Sequence, residues 1–207
     1  VVSSRAAIVF TVVSGIGAAS FLLFLPTITA FATIPSIITA TYYPWAKKHD
    51  LFPQVILGIC LAWGIMVGNA SLSTRNWPWE NSSALCLVAA YTFVIVIYDT
   101  IYAHQDIPDD LRLGLGSTAV LFRNCTKLAL SALTACMAAS LYYCGILAEM
   151  GFLFFVIGVG GSVVSVGLML YEVRLDDPAS CWKWFSMGFW TTMLSITGGL
   201  VSEYMMR

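Results

Sequence analysis

Residues 81–98 read NSSALCLVAAYTFVIVIY, eighteen positions without a charge. The chain then turns acidic at once, as Asp99-Thr100-Ile101-Tyr102-Ala103-His104-Gln105-Asp106-Ile107-Pro108-Asp109-Asp110. A helix that crosses roughly 30 Å of hydrocarbon needs about 20 mainly apolar residues. The run is long enough, and it is apolar at every turn rather than at alternate positions, so it reads as a membrane helix and not as a barrel strand.

Working outward, the same pattern recurs. Charge-free stretches cover 6–46, 51–74, 128–148, 150–171 and 184–202, and with 81–98 they hold 145 of the 207 residues. The first is long enough for two helices, with Pro26 and Pro35 supplying the break. Seven spans are therefore expected, at about 6–25, 28–46, 53–73, 83–98, 119–147, 150–171 and 184–204. Composition agrees. Hydrophobic residues make up 59%, charged residues 10%, and mean hydropathy is +0.84, whereas a soluble domain carries roughly 25% charged residues. A disordered chain and a basic nucleic-acid binder are excluded, and the lipid bilayer is the expected surrounding. The expected class is all-α: one polytopic membrane helix bundle over residues 1–207.

The few charges orient that bundle. With the loop near residue 110 on the cytoplasmic side, that side receives Arg5, Lys47, Lys48, Arg112, Arg123, Lys127, Arg174 and Lys183, and the other receives Arg75 and Arg207. Eight against two satisfies the positive-inside rule. The sequon Asn81-Ser82-Ser83 then lies outside and is a candidate glycosylation site. Trp77, Trp79, Trp182, Trp184 and Tyr204 fall near span ends and read as an aromatic belt.

Four of the eleven acids fall within residues 99–110, at the edge of a membrane span. Asp99, Tyr102, Asp106 and Asp110 follow 3, 4 and 4 spacing, which puts them on one helical face, with Pro108 bending the last turn. Like charges so placed repel, and more strongly where water is scarce. A divalent cation removes the repulsion, and hard carboxylate oxygens together with substrate phosphates suit Mg²⁺. Most charge runs are solvated loops; Tyr98, Tyr102 and Gln105 interleaved here, and the position at membrane depth, favour function.

At these residues the chain resembles the UbiA superfamily of intramembrane prenyltransferases. Asp99-x-x-Tyr102-Ala103-x-Gln105-Asp106-x-x-Asp109-Asp110, followed by Gly114-Leu115-Gly116-Ser117-Thr118-Ala119, is similar to that family's second aspartate-rich motif. Tyr42-Tyr43-Pro44-Trp45-Ala46-Lys47-Lys48, followed by Phe52-Pro53-Gln54-Val55-Ile56-Leu57-Gly58, resembles its fourth-helix end and fifth-helix start. The flavour is closest to the 4-hydroxybenzoate polyprenyltransferases and their fungal relatives, which prenylate aromatic polyketides in meroterpenoid pathways.

The resemblance implies a nine-helix fold around a central cavity, with the spans of this chain as helices three to nine. It implies that the first two helices and a first aspartate motif lie outside the sequence, which begins abruptly at Val1-Val2-Ser3-Ser4-Arg5. It implies Mg²⁺-dependent transfer of a farnesyl or longer group from an isoprenoid diphosphate to an aromatic acceptor. In that reading Asp106, Asp110, Lys47 and Tyr43 are catalytic, and Asp99, Asp106, Asp109 and Asp110 hold the metal. Tyr43, Lys47, Tyr102, Arg112 and Ser117 bind substrate. The chain departs from the family pattern at Gly116, where a Lys is expected, and at Arg123, where a Gly is expected. The resemblance places the protein in the endoplasmic reticulum or another internal membrane, with the inner mitochondrial membrane as the alternative. Competing readings are ubiquinone-pathway prenylation, a terpene cyclase of the same superfamily, an aspartate-lined channel or transporter, and a catalytically inert chain.

Other features have plainer readings. Cys60, Cys86, Cys125, Cys136, Cys144 and Cys181 lack paired spacing and read as small apolar fillers, forming neither disulfide nor zinc site. His104 reads as a packing residue before a proton acceptor, and His49 as a solvated loop residue. Gly158-Val159-Gly160-Gly161, like Gly64 and Gly68, is expected to let helices approach closely. Asp176-Asp177-Pro178 reads as a turn between helices.

Overall fold

The computed structural model describes residues 3–49, 52–72 and 78–206, and every regular element among them is helical. Trp77, Arg75 and Arg207, which enter the belt and orientation arguments, lie outside the described residues. Helix α1 (Ser4–Leu22) starts where the Ser3 hydroxyl accepts the Ala6 N–H, and none of its side chains is buried. Pro26, extended and without an N–H, precedes α2 (Thr27–Ala32). The Thr33 hydroxyl turns back to the Ala30 carbonyl at 2.7 Å, and α3 (Ile34–Ala46) begins with Pro35 in its first turn. A proline is tolerated there because the first N–H groups of a helix have no intrahelical partner. The chain thus breaks twice, over residues 23–26 and again at Thr33, each just ahead of a proline-led helix start.

Next come α4 (Pro53–Ala62), α5 (Gly64–Leu72) and the long α6 (Ser82–Ala103). A single tight turn at His104–Asp106 leads into α7 (Ile107–Leu113). The remaining helices are α8 (Thr118–Phe122), α9 (Thr126–Leu147), α10 (Gly161–Glu172), α11 (Pro178–Lys183) and α12 (Phe189–Met206). Wider π-type turns at Phe154–Gly160 and Trp184–Gly188 lead into α10 and α12.

Helix α6 is the central post, packed against α4 on one flank and α9 on another, with α12 beside it. Its Ile97, Tyr98 and Ile101 meet Leu130, Met137 and Leu141 of α9, Val166 and Met169 of α10 and Ile196 of α12, all without solvent exposure. The outside is equally apolar: Phe10, Phe24, Leu72, Leu128, Tyr171 and Trp190 are exposed. In water such a surface aggregates, but in a bilayer it faces lipid tails. Five helical stretches are long and apolar enough to cross a membrane by length and composition: Ser4–Leu22, Pro53–Leu72, Ser82–Leu113, Thr126–Leu147 and Phe154–Glu172. The protein is an integral membrane protein. Between lipid-exposed helices no hydrophobic driving force remains, so van der Waals fit and polar contacts hold them together.

Several boundaries differ from expectation. The span expected to end at Tyr98 runs on to Ala103, so Asp99 sits inside α6 rather than capping it. Nothing between Asp99 and Ala103 breaks a helix; the ring of Pro108 opposes the carbonyl four residues back, at His104, and the ladder first tightens there. The span expected over 119–147 is interrupted at Arg123–Cys125. Gly158 and Gly199 are in close approach, since a Cβ on Gly199 would lie 2.7 Å from the Gly158 Cα. Gly64 and Gly68 do not serve that purpose, because a Cβ on either would meet nothing within 4 Å. Asp177 ends a turn, capping α11 by accepting the Ala179 N–H while pairing with Arg174.

Candidate active site

Lys47 follows the last residue of α3 and is tied down twice. Its carbonyl accepts the Gly116 N–H at 3.2 Å, and its Nζ lies 2.9 Å from Asp110 Oδ1. The Asp110 carbonyl in turn accepts the Leu115 N–H at 2.8 Å, because Gly114 at φ 64° reverses the chain after α7. A residue with a Cβ is strained in that left-handed conformation. Ser117 caps α8 by accepting the Val120 N–H at 3.1 Å.

A buried polar clamp fixes this loop to the bundle. Gln54, at the start of α4 and 4% exposed, accepts the Thr118 N–H through Oε1 at 3.1 Å. The Thr100 hydroxyl of α6 donates to the Val96 carbonyl at 2.6 Å. Its oxygen is therefore left to accept the Thr118 hydroxyl, also at 2.6 Å. Segments that are distant in sequence are thus pinned at one point.

Around Lys47 two carboxylates and a phenol gather. Asp110, Asp106 and Tyr43 act on the Lys47 charge, and Lys47 and Asp106 act on Asp99. Burial works to lower the Lys47 pKa, but the hydrogen bond and charge of Asp110, with Asp106 and Tyr43 behind them, raise it above the ordinary lysine value. Lys47 is an ammonium at neutral pH. Asp99 also lines an apolar cavity of about 120 Å³ with Leu57, Leu61, Ile95, Tyr98, Phe185 and Phe189. A charged knot and a greasy cavity therefore share one carboxylate.

Asp110 is 3% exposed, and its second oxygen, Oδ2, is buried without a hydrogen-bond partner. So are His104 Nδ1 and Gln105 Nε2. Leaving a buried polar atom unpaired costs about 1–3 kcal/mol, and more for a charged group. Mg²⁺ takes one or two carboxylates together with substrate phosphates, so Asp110, with its unsatisfied oxygen, and Asp106, which both act on Lys47, fit that ion. Among the described residues no three His, Cys, Asp or Glu side chains close on one point; the ammonium of Lys47 stands against Asp110 instead.

The other residues singled out from the sequence are dispersed. Asp106 is exposed beside the knot, and Asp109 and Arg112 are exposed on α7. Tyr102 stacks with Phe185 at 4.8 Å and Trp182 at 6.0 Å between ring centroids. The Ser117 hydroxyl is buried and used as a helix cap. Asn81 caps α6 through Oδ1, and its Nδ2 donates to Asn69 Oδ1 at 3.1 Å. Trp184 packs against the core, whereas Trp79 and Tyr204 are exposed. Gln54, Thr100 and Thr118 stand inside the quoted stretches without a role of their own, and Phe185 stands outside them. A glutamine two positions into an apolar stretch was the one available signal, since a lone amide there needs a partner.

Residues 1–193 match the UbiA prenyltransferase family. The chain is 37% identical over 155 residues to the mitochondrial 4-hydroxybenzoate polyprenyltransferase of Schizosaccharomyces pombe, covering 73% of this chain and 42% of that protein. It is 36% identical over 162 residues to UbiA prenyltransferase claS of Ampulloclitocybe clavipes, covering 77% of this chain and 50% of that one. The chain thus spans about half the length of the curated relatives it matches. The apo structure of a UbiA homolog from Aeropyrum pernix K1 superposes with a TM-score of 0.77 at 22% identity, covering 98% of this chain and 74% of that chain. That likeness establishes the shared helical fold.

Proposed function

Because the chain belongs to the UbiA prenyltransferase family, we propose that it transfers a prenyl group from an isoprenoid diphosphate to an aromatic acceptor. The observation that carries this reading is the junction at Asp99, where the charged knot of Lys47, Asp106 and Asp110 meets the apolar cavity of about 120 Å³. An isoprenoid diphosphate has the same two-part character: an anionic head and a hydrocarbon tail. The tail enters between Leu57, Leu61, Ile95 and Phe189, and the head stays at the knot.

The C–O bond of the allylic diphosphate breaks when its electron pair, leaving with the diphosphate, is met by positive charge. Lys47, held charged by its surroundings, supplies one such charge to the leaving oxygens, and Tyr43 one turn earlier in α3 lies within its field. Asp110 and Asp106, with Asp99 in support, would hold Mg²⁺, which would supply the remaining positive charge as a Lewis acid. The allylic cation left behind bonds to an electron-rich ring carbon, and the ring proton departs. Phe185, which lines the cavity and is backed by the rings of Tyr102 and Trp182, keeps the surroundings of the cation apolar.

The acceptor class is a phenolic acid or a phenolic polyketide, and the site is an internal membrane, the endoplasmic reticulum or the inner mitochondrial membrane. The test is prenyl transfer in membranes expressing the complete reading frame, supplied with Mg²⁺, farnesyl diphosphate and either acceptor. Asp110→Asn and Asp106→Asn are each expected to lower turnover by about 10²-fold or more, the scale of losing a charge-stabilising group. Undiminished turnover in both variants overturns the assignment. Hydrocarbon product without any aromatic acceptor would mark a cyclase, and ion flux in liposomes without isoprenoid turnover would mark a channel.

A further inference from the structure

Asp110 is the most enclosed of the acids in residues 99–110, yet its two oxygens have unlike fates. Oδ1 holds Lys47 Nζ at 2.9 Å, and Oδ2 is buried and unpartnered. Three carboxylates, Asp99, Asp106 and Asp110, bear on a single ammonium, so the knot carries more acid than base. With Asp110 buried, breaking the pair leaves an uncompensated carboxylate and is costly unless that carboxylate finds a replacement. The Lys47 backbone is anchored by its carbonyl to Gly116, while its side chain is 38% exposed on a flexible stem. Movement is therefore available to the ammonium and denied to the main chain.

We infer that Lys47 is a place-holding cation: it occupies Asp110 before substrate binds and passes to the diphosphate when a metal ion takes the carboxylate. The inference rests on the diphosphate reading above and adds an order to it. A metal ion arriving alone must expel Lys47 from Asp110 and leave the ammonium without an anion. A metal ion arriving with a diphosphate gives both partners of the broken pair a new one. Metal and diphosphate then bind cooperatively, and the coupling is reciprocal between them.

The probe is Mn²⁺, followed by electron paramagnetic resonance on the purified complete protein in detergent, without diphosphate. Lys47→Met is expected to bind Mn²⁺ about tenfold more tightly than wild type, within the usual range of coupled sites. Lys47→Arg keeps the charge and is expected to stay as weak as wild type, and Asp110→Asn added to Lys47→Met erases the gain. A second measurement uses wild type alone. Saturating Mn²⁺ exposes the Lys47 amine, so its acetylation by acetic anhydride rises severalfold while that of exposed Lys48 is unchanged, and added inorganic pyrophosphate suppresses the rise. Lys47→Met binding Mn²⁺ no better than wild type, or Lys47 acetylation indifferent to Mn²⁺, overturns the inference. Its failure is distinguishable from failure of the diphosphate reading. If Asp106→Asn and Asp110→Asn bind Mn²⁺ with pyrophosphate as well as wild type does, the diphosphate site itself is refuted. If they lose the metal but Lys47→Met gains nothing, only the place-holder role falls.

Discussion

Gln54 shows how a single neutral side chain governs a charged site it does not touch. Its Oε1 holds the first N–H of α8, and α8 closes the loop that carries the Gly116 contact to Lys47. Gln54→Leu preserves bulk but strands the Thr118 N–H in a buried setting, at a cost of about 1–3 kcal/mol. The expected result is a lower melting temperature for the purified protein in detergent; an unchanged one would mean that Gln54 is not what satisfies that amide. Lys47 behaves differently with pH. Its folded-state pKa is raised, so the stabilisation from its pair with Asp110 is fully present below the ordinary lysine value of 10.5 and is lost as pH climbs through the raised one. The melting-temperature gap between wild type and Lys47→Met is accordingly expected to stay constant across the neutral range.

At the scale of elements, two glycine positions that look alike in sequence part company. Gly199 of α12 packs on Gly158, where a Cβ would press on backbone atoms at 2.7 and 2.8 Å that cannot yield. Gly199→Ala therefore pushes α12 off the turns before α10, at about 1–3 kcal/mol. Gly68 in the interior of α5 has open space, and Gly68→Ala is expected to be neutral or to stabilise by up to about 1 kcal/mol through helix propensity. Thermal melts of the two variants in one detergent check the contrast; equal effects would refute the close-packing argument. Helix α6 differs from both. Its apolar register is continuous through Asp99, and Lys47 at the end of α3 offsets part of the cost of burying an acid there. The end of the charge-free run thus marks where charge enters the helix and not the end of the helix.

For the molecule as a whole, the apolar exterior and the polar interior contacts describe a body made for lipid. Its orientation is testable. With the six native cysteines replaced, single cysteines placed at Lys48 and Asp109 are expected to react with an impermeant maleimide from one face of sealed vesicles, and one placed at Asn81 from the other. Labelling of all three from the same face would defeat the charge-bias argument. The amino-acid order alone determined the class of structure, the position of most helices and the identity of the acid-rich segment. Those properties are local: hydrophobic length, proline placement and charge spacing act within a turn or a span. Only the tertiary structure decided that Lys47 meets Asp110, 63 positions further along the chain, that Gln54 clamps Thr118, and that Phe185 and Trp182 join Tyr102. It also decided that Gly158, and not Gly64 or Gly68, marks a close helix contact. Such pairings depend on how helices rotate and lean against one another, and that is set by the summed packing of many side chains.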